Sequence, residues 1–398
     1  MKICKLIVAL FIVVPQITNA AQPSNQVSFK GLTNFSAATQ NQASAFKQDR
    51  LSNATNNRNN SSQSFENNTQ LFGKVEIKNK NLKYGATLKG EGEASSNQNK
   101  GVVNADQAFI FAESEESGKF ELGDNIAVNQ KMKVGPASFA RGNGGINGNY
   151  LKYINLPVDS QFILIAQSPI GHGGQALSGS DLNQNSIKIL RNNSFNGAED
   201  ATKINYYTPR MEGLQLGVSY TPNTASSAVS STVFNGKQNS VSDVISLGAN
   251  YTNSFDNFDY AFSATAENGK SKSLNQNNLS SFDIATTMAY FGFTFGASYG
   301  SWGKSLQQKN SLNNKNSTYK TLGISYQIGH FSISLTNLKS AFQKNHYQAT
   351  SLGLDYKLAK AFIPYFEVTQ FSFKPNQSQN LSAKNQVFVG LAGFLFSF

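Results

Sequence analysis

The chain has 398 residues, with 34 lysines and arginines against 23 carboxylates, a formal charge of +11, and a single cysteine. A mean hydropathy of −0.36 excludes a bundle of apolar membrane helices. Cys4 falls in the N-terminal leader, which excludes disulfides and thiolate chemistry from the rest of the chain.

Residues 1–20 read as a secretory signal peptide. Lys2 and Lys5 supply the positive start, Leu6 to Val14 the short apolar run, and Thr18-Asn19-Ala20 the small residues before cleavage after Ala20. The apolar run is too short to span a bilayer as a helix. Residues 21–398 then form one unit. Thirty Phe, 15 Tyr and 32 Gly against 9 Pro suit strands and tight turns.

From Gln26 onward, segment after segment has period two. Leu71, Gly73, Val75 and Ile77 share one face, and Lys74, Glu76 and Lys78 the other. Leu82, Tyr84, Ala86 and Leu88 oppose Lys83, Thr87 and Lys89. The pattern returns at 214–220, 245–251, 258–264, 282–290, 293–299, 322–326 and 352–356. These are strands with one apolar and one polar face. Exported strands of low average hydropathy fit a transmembrane barrel, where only alternate residues meet lipid.

The links alternate between long and short. Long ones are expected at 39–66, 94–104, 125–201, 221–242, 267–280, 301–317, 339–348 and 374–384. Short ones are expected at 79–81, 113–117, 208–213, 252–257, 291–292, 327–330 and 358–360. Long extracellular loops alternating with short periplasmic turns mark outer-membrane barrels, whereas a β-sandwich has no reason to sort its loops. The expected fold is therefore all-β: a closed antiparallel barrel of 16 strands. A further hairpin at 150–155 and 161–168 would make 18. Closure pairs 386–398 with 26–37, because hydrocarbon tolerates no open sheet edge. Tyr251, Tyr290, Tyr326 and Tyr356 then fall at the periplasmic rim, and Tyr220 and Tyr299 at the outer rim, as an aromatic girdle.

Specific segments resemble the general porins of Gram-negative bacteria, in particular those of alphaproteobacteria. They are Gln107-Ala108-Phe109-Ile110-Phe111 with Gly118 to Gly123, the hairpin Lys203 to Pro222 containing Tyr207-Thr208-Pro209-Arg210, Leu352-Gly353-Leu354-Asp355-Tyr356, and the terminal Phe398. The resemblance implies a homotrimer of 16-stranded barrels in the outer membrane, in contact with lipopolysaccharide. It also implies that Phe398 is a signal for the outer-membrane assembly machinery, and that 125–201 is a third loop folded inward as a constriction. Porins pass small hydrophilic solutes and ions passively, without cofactor or catalysis.

In that frame Lys131, Lys133 and Arg141 come to the constriction, and 125–150 holds no carboxylate to face them. This departs from the family's usual acidic loop set against a basic wall. Lys74, Lys78, Lys83 and Lys89 line the lumen with Glu76, Glu91 and Asp106. The expectation is an unbalanced cationic passage with a weak preference for anions.

Other chemistry is thinly supported. His172, His330 and His346 fall at different places in this topology, so no three-histidine metal site is expected. The lysines are scattered rather than clustered, so nucleic acid is not an expected partner. A barrel hydrolase or an adhesin anchor are the other readings, and neither has a motif of its own.

Overall fold

The computed structural model describes residues 24–42, 62–95, 103–140, 142, 145–147, 153–154, 161–170, 176–177, 201–224, 241–310, 315–376 and 385–398. The leader and Arg141 lie outside these residues. Five strands come first: β1 Ser24–Gln42, β2 Gln63–Asn79, β3 Leu82–Ser95, β4 Val103–Ser114 and β5 Gly118–Asp124. The segment after β5 holds one helical turn, α1 Val128–Lys131, two 3₁₀ turns at Pro136–Ser138 and Gly145–Asn147, and a small ribbon of β6 Phe162–Ile163 with β7 Ala176–Leu177. Eleven more strands follow: β8 Thr202–Tyr207, β9 Leu214–Asn223, β10 Val241–Phe255, β11 Phe258–Ser271, β12 Leu279–Tyr290, β13 Phe293–Gly303, β14 Ser317–Ile328, β15 Phe331–Phe342, β16 Asn345–Tyr356, β17 Phe362–Lys374 and β18 Asn385–Ser397.

All strands except β6 and β7 form one closed barrel of 16, each antiparallel to its sequence neighbour. β1 meets β18 in register from Leu32 opposite Ser397 to Gln42 opposite Val387. Of the expected further hairpin, the described residues 153–154 and 161–168 are not part of the barrel. Phe162 and Ile163 pair with Leu177 and Ala176 inside the inward segment.

Burial inverts the pattern of a soluble protein. Val27, Phe29, Leu71, Leu88, Ile110, Ile284, Leu322 and Leu335 point outward and exposed, while Ser246, Thr265, Glu267, Thr336, Ser351 and Thr369 are buried on the inner face. A cylinder bathed in hydrocarbon outside and polar within requires this of a period-two strand.

The start of β1 and the end of β18 lie at the end of the barrel that carries the tight turns. There Phe291 and Gly292 both take positive φ, 45° and 82°, as a two-residue hairpin demands. Tyr290, Tyr326 and Tyr356 stand at this rim, and Tyr326 packs on Phe293 with ring centroids 4.3 Å apart. Tyr251 packs on Tyr260 at the same end. Tyr220 and Tyr299 occupy the opposite rim, where Tyr299 packs beside Phe282.

One expected long link is corrected. β15 runs to Phe342 and β16 starts at Asn345, so residues 339–348 hold a two-residue turn, with Gln343 at φ 58°. The outward side chains of the two strands there are Lys339, Ala341, His346 and Gln348. Once the outer face turns polar, apolar alternation fades although backbone pairing continues.

Candidate functional site

The lumen is shaped by what the inner wall leaves room for. Five strands carry the same five-residue pattern of apolar, glycine, apolar, polar, tyrosine: 216–220 on β9, 247–251 on β10, 295–299 on β13, 322–326 on β14 and 352–356 on β16. In each, glycine falls on the inner face. Gly217 and Gly248 are direct cross-strand partners, as are Gly296 and Gly323. The inward segment after β5 rests on these bare patches. A Cβ at Gly217 would stand 2.5 Å from Met132 Sδ, one at Gly323 2.5 Å from Pro136 Cβ, and one at Gly353 3.2 Å from Ala140 Cβ. The glycines form a rail along which the loop lies against the wall.

Hydrogen bonds fix α1 on that rail at both ends. The Val128 N–H donates to Ser219 Oγ at 2.8 Å, and Asn250 Nδ2 donates to the Met132 carbonyl at 3.0 Å. Asn250 is itself oriented by Arg210, whose Nη2 donates to Asn250 Oδ1 at 3.1 Å. Arg210 sits in the tight turn after β8, so the turn end of the barrel is wired to the loop. Farther on, Ile146, Ile154, Phe162 and Ile163 pack with Leu338, Tyr347, Phe371, Phe373 and Val389. These wall residues face inward, so the barrel holds an apolar core between loop and wall. Burial of such side chains contributes about 1.5–3 kcal/mol each, which holds a long loop inside an aqueous cylinder.

The loop's cations are partnered. Lys131 Nζ lies 2.7 Å from Glu121 Oε2 on β5, and Lys119 approaches the same carboxylate at 2.8 Å. Lys133 Nζ lies 3.0 Å from Asp283 Oδ2 on β12 and donates to Tyr319 Oη at 2.8 Å and to the Ala166 carbonyl at 2.5 Å. Burial pushes both ammonium groups below the ordinary lysine pKa, and the facing carboxylates pull them partly back. The expected unbalanced cations at 131 and 133 are thus revised: each is matched by a wall carboxylate. The polarity is basic loop against acidic wall. Arg141 falls outside the described residues. A cavity of about 190 Å3 lies behind the loop, lined by Gln130, Lys133, Ser168, Asp283, Trp302 and Tyr319.

Among the described residues the loop lies along β8–β18 and reaches β1, where Asn34 Nδ2 donates to the Gly142 carbonyl at 2.9 Å, while on β2 the inward Ser64 and Glu66 at the loop end are buried and Lys78 at the turn end is exposed. Here Lys74 pairs with Glu76 at 2.5 Å and Lys89 pairs with Asp106 on β4. Glu91 accepts from Asn68 Nδ2 at 2.6 Å and from Gln70 Nε2 at 3.3 Å. Phe72 and Phe111 lie beneath ammonium groups, with Lys74 4.7 Å from the Phe111 centroid and Lys89 5.6 Å from that of Phe72. Lys78 and Lys83 differ. They are direct cross-strand partners near the turn end, and neither has an ion pair among the described residues. Lys30, inward beside Phe72, likewise has none. Glu113 is the direct cross-strand partner of Lys83 on β4, and Glu76 shares the inward row of β2 with Lys78.

Among the described residues no cluster of His, Cys, Asp or Glu could hold a metal ion. His330 lies in a tight turn and His346 starts β16 at the other end, while His172 is outside the described residues.

The sequence profile of the Gram-negative porins matches residues 7–376. A protein of Rickettsia bellii is 29% identical over 339 residues, 72% of this chain and 74% of its own length. One from Rickettsia conorii is 26% identical over 351 residues, 74% of this chain and 75% of its own. Among solved structures, a variant of the Rhodopseudomonas blastica porin aligns with a TM-score of 0.54 at 12% identity, over 94% of this chain and 100% of that one.

Proposed function

This chain belongs to the Gram-negative porin family, and we propose that it is an outer-membrane channel for passive diffusion of small hydrophilic solutes and ions. In this reading residues 1–20 direct export, the turn end faces the periplasm, and the barrels assemble as homotrimers. One observation carries the proposal: an outward apolar cylinder encloses a polar lumen narrowed by a loop seated on the wall. Among the described residues the inward charges of β2 and β3 lie beside the loop rather than beneath it, an arrangement that suits a passage better than a plugged anchor.

The weak anion preference rests on Lys30, Lys78 and Lys83, because Lys131 and Lys133 are neutralised where they sit. Unpaired charges lining a narrow, low-dielectric path act on permeating ions, whereas paired ones largely cancel. Purified protein in a planar bilayer should give unitary conductance steps, and a KCl gradient should give a zero-current potential of anion-selective sign. Lys78→Gln with Lys83→Gln should move that potential toward cations, whereas removing the loop's ion pairs whole, Lys131→Gln with Glu121→Gln and Lys133→Gln with Asp283→Asn, should leave it nearly unchanged. Absence of conductance would favour an adhesin or structural barrel. A larger shift from the loop-pair variant would return selectivity to the loop.

A further inference from the structure

The cavity behind the loop is bordered by polar atoms that the protein leaves unmatched. It lies between the loop and β11–β14, with Asn129, Gln130 and Gln167 on the loop side and Thr265, Asp283 and Trp302 on the wall side. Asn129 and Asp283 are buried, yet the Oδ1 atom of each has no hydrogen-bond partner among the described residues. Gln167 Oε1 and Gln130 Nε2 are in the same position. Native proteins pair the large majority of their buried polar atoms, so unmade bonds gathered around one cavity point to a ligand.

The neighbouring groups are already committed. Lys133 Nζ donates to the Ala166 carbonyl and Tyr319 Oη and pairs with Asp283 Oδ2, which occupies all three of its protons. Tyr319 Oη donates to the same Asp283 oxygen at 2.7 Å, and Trp302 Nε1 donates to the Gln167 carbonyl at 2.7 Å. The unmatched atoms on Asn129, Gln167 and Asp283 accept, and the one on Gln130 donates. An inorganic anion brings only acceptors and would face the Asp283 carboxylate. A metal cation brings nothing for the Gln130 amide. A zwitterion needs a free cation for its carboxylate, and Lys133 is not free. A hydroxyl both donates and accepts, so a ring of hydroxyls serves both kinds of atom.

Size narrows the class. At about 190 Å3 the cavity far exceeds the roughly 15 Å3 that one water needs. It falls short of the pockets of about 300–1,000 Å3 that hold drug-sized ligands. Ser138 on its lining is exposed, which leaves a way in from solvent.

We propose that this cavity binds a neutral polyol of monosaccharide size, held between loop and wall. Its hydroxyls donate to Asn129 Oδ1, Gln167 Oε1 and Asp283 Oδ1 and accept from Gln130 Nε2. The site goes beyond the channel reading, because passive diffusion needs no bound solute.

Trp302 is the chain's one tryptophan and lines the cavity, so its emission reports occupancy. The full protein is titrated with D-glucose in an alkyl amine-oxide detergent, whose headgroup carries no sugar. Wild-type emission should change saturably with D-glucose and stay unchanged with maltotriose, glycine or sodium phosphate. Gln130→Met with Gln167→Met keeps side-chain length, and should raise half-saturation at least tenfold while the heat-modifiable band is retained. A change that only rises linearly with D-glucose overturns the assignment. So does an equal saturable change with any of the other three solutes, or an unaltered half-saturation in the double variant. Binding is read in detergent, so its failure is distinct from a failure to conduct.

Discussion

Gly31 and Phe398 join the two ends of the chain: the Phe398 N–H donates to the Gly31 carbonyl at 3.0 Å, and the Gly31 N–H to the Phe398 carbonyl at 2.7 Å. The Phe398 ring also folds over Gly31, where a Cβ would stand 2.1 Å from its Cζ. Glycine in the first strand is what lets the last aromatic ring seat there. Deleting Phe398 should cut outer-membrane insertion several-fold while export continues, scored by heat-modifiable protein in outer-membrane fractions. Gly31→Val keeps the terminal aromatic but displaces the ring, and should lower the conversion temperature with insertion largely retained. Equal insertion of the deletion variant would remove Phe398 from assembly.

The glycine rail predicts a graded response. Gly323→Val drives a branched side chain against the rigid ring of Pro136, so the loop must lift from the wall. Overpacking of this kind costs about 1–3 kcal/mol. Unitary conductance should change markedly while the barrel still forms. Gly217→Ala meets the flexible end of Met132 and should change it less. Gly73→Ala, where a Cβ would have 3.5 Å to the Phe29 ring, should leave it alone. Identical conductance in Gly323→Val and wild type would show that the loop does not depend on the rail.

Arg210 acts on the loop through Asn250. Asn250→Leu removes the bond to the Met132 carbonyl, a loss of about 1 kcal/mol, and should raise open-channel current noise. Arg210→Gln leaves Asn250 in place but frees its amide to turn, so an intermediate increase is expected. Noise unchanged in both variants would reduce the chain Arg210–Asn250–Met132 to local packing.

Alkaline titration gives a fourth check. Burial holds the Lys131 and Lys133 pKa values below the usual 10.5. Between those lowered values and 10.5 the native state has shed protons that the unfolded chain retains. Stability therefore rises with pH across that window. The loop's ion pairs to Glu121 and Asp283 are nevertheless lost in it. Current noise should increase below pH 10.5 with no loss of the heat-modifiable band, and the increase should vanish in Lys131→Gln with Lys133→Gln. A transition seen only above 10.5, or one that survives the double variant, would contradict this account.

Much of the barrel is legible in the sequence because a membrane strand must alternate. Leu71 to Lys78 and Phe293 to Tyr299 declare their two faces without help. The outer ends are harder to read, since Lys339, His346 and Gln348 stand beyond the hydrocarbon and lose the apolar signal while still paired. The loop's ionic partners are not legible at all. Glu121 lies on the strand that leads into the loop and meets Lys131 once that loop turns back on it, whereas Asp283 comes to Lys133 only through the closing of the barrel. The rail could have been found, since its five glycines each stand three residues before a tyrosine already assigned to the girdle. The apolar face carries the periodic signal, whereas a glycine on the polar face registers only as a missing side chain.

The β1–β18 seam joins residues from opposite ends of the sequence, so it is the contact with the largest loop-closure entropy in the molecule. The apolar core between loop and wall uses Ala38 from β1 and Val387, Val389 and Leu391 from β18, so that core cannot be completed until the same seam zips. The order of events is therefore constrained by topology: the packing of the loop on the wall is completed with, and not before, the closing of the β1–β18 seam.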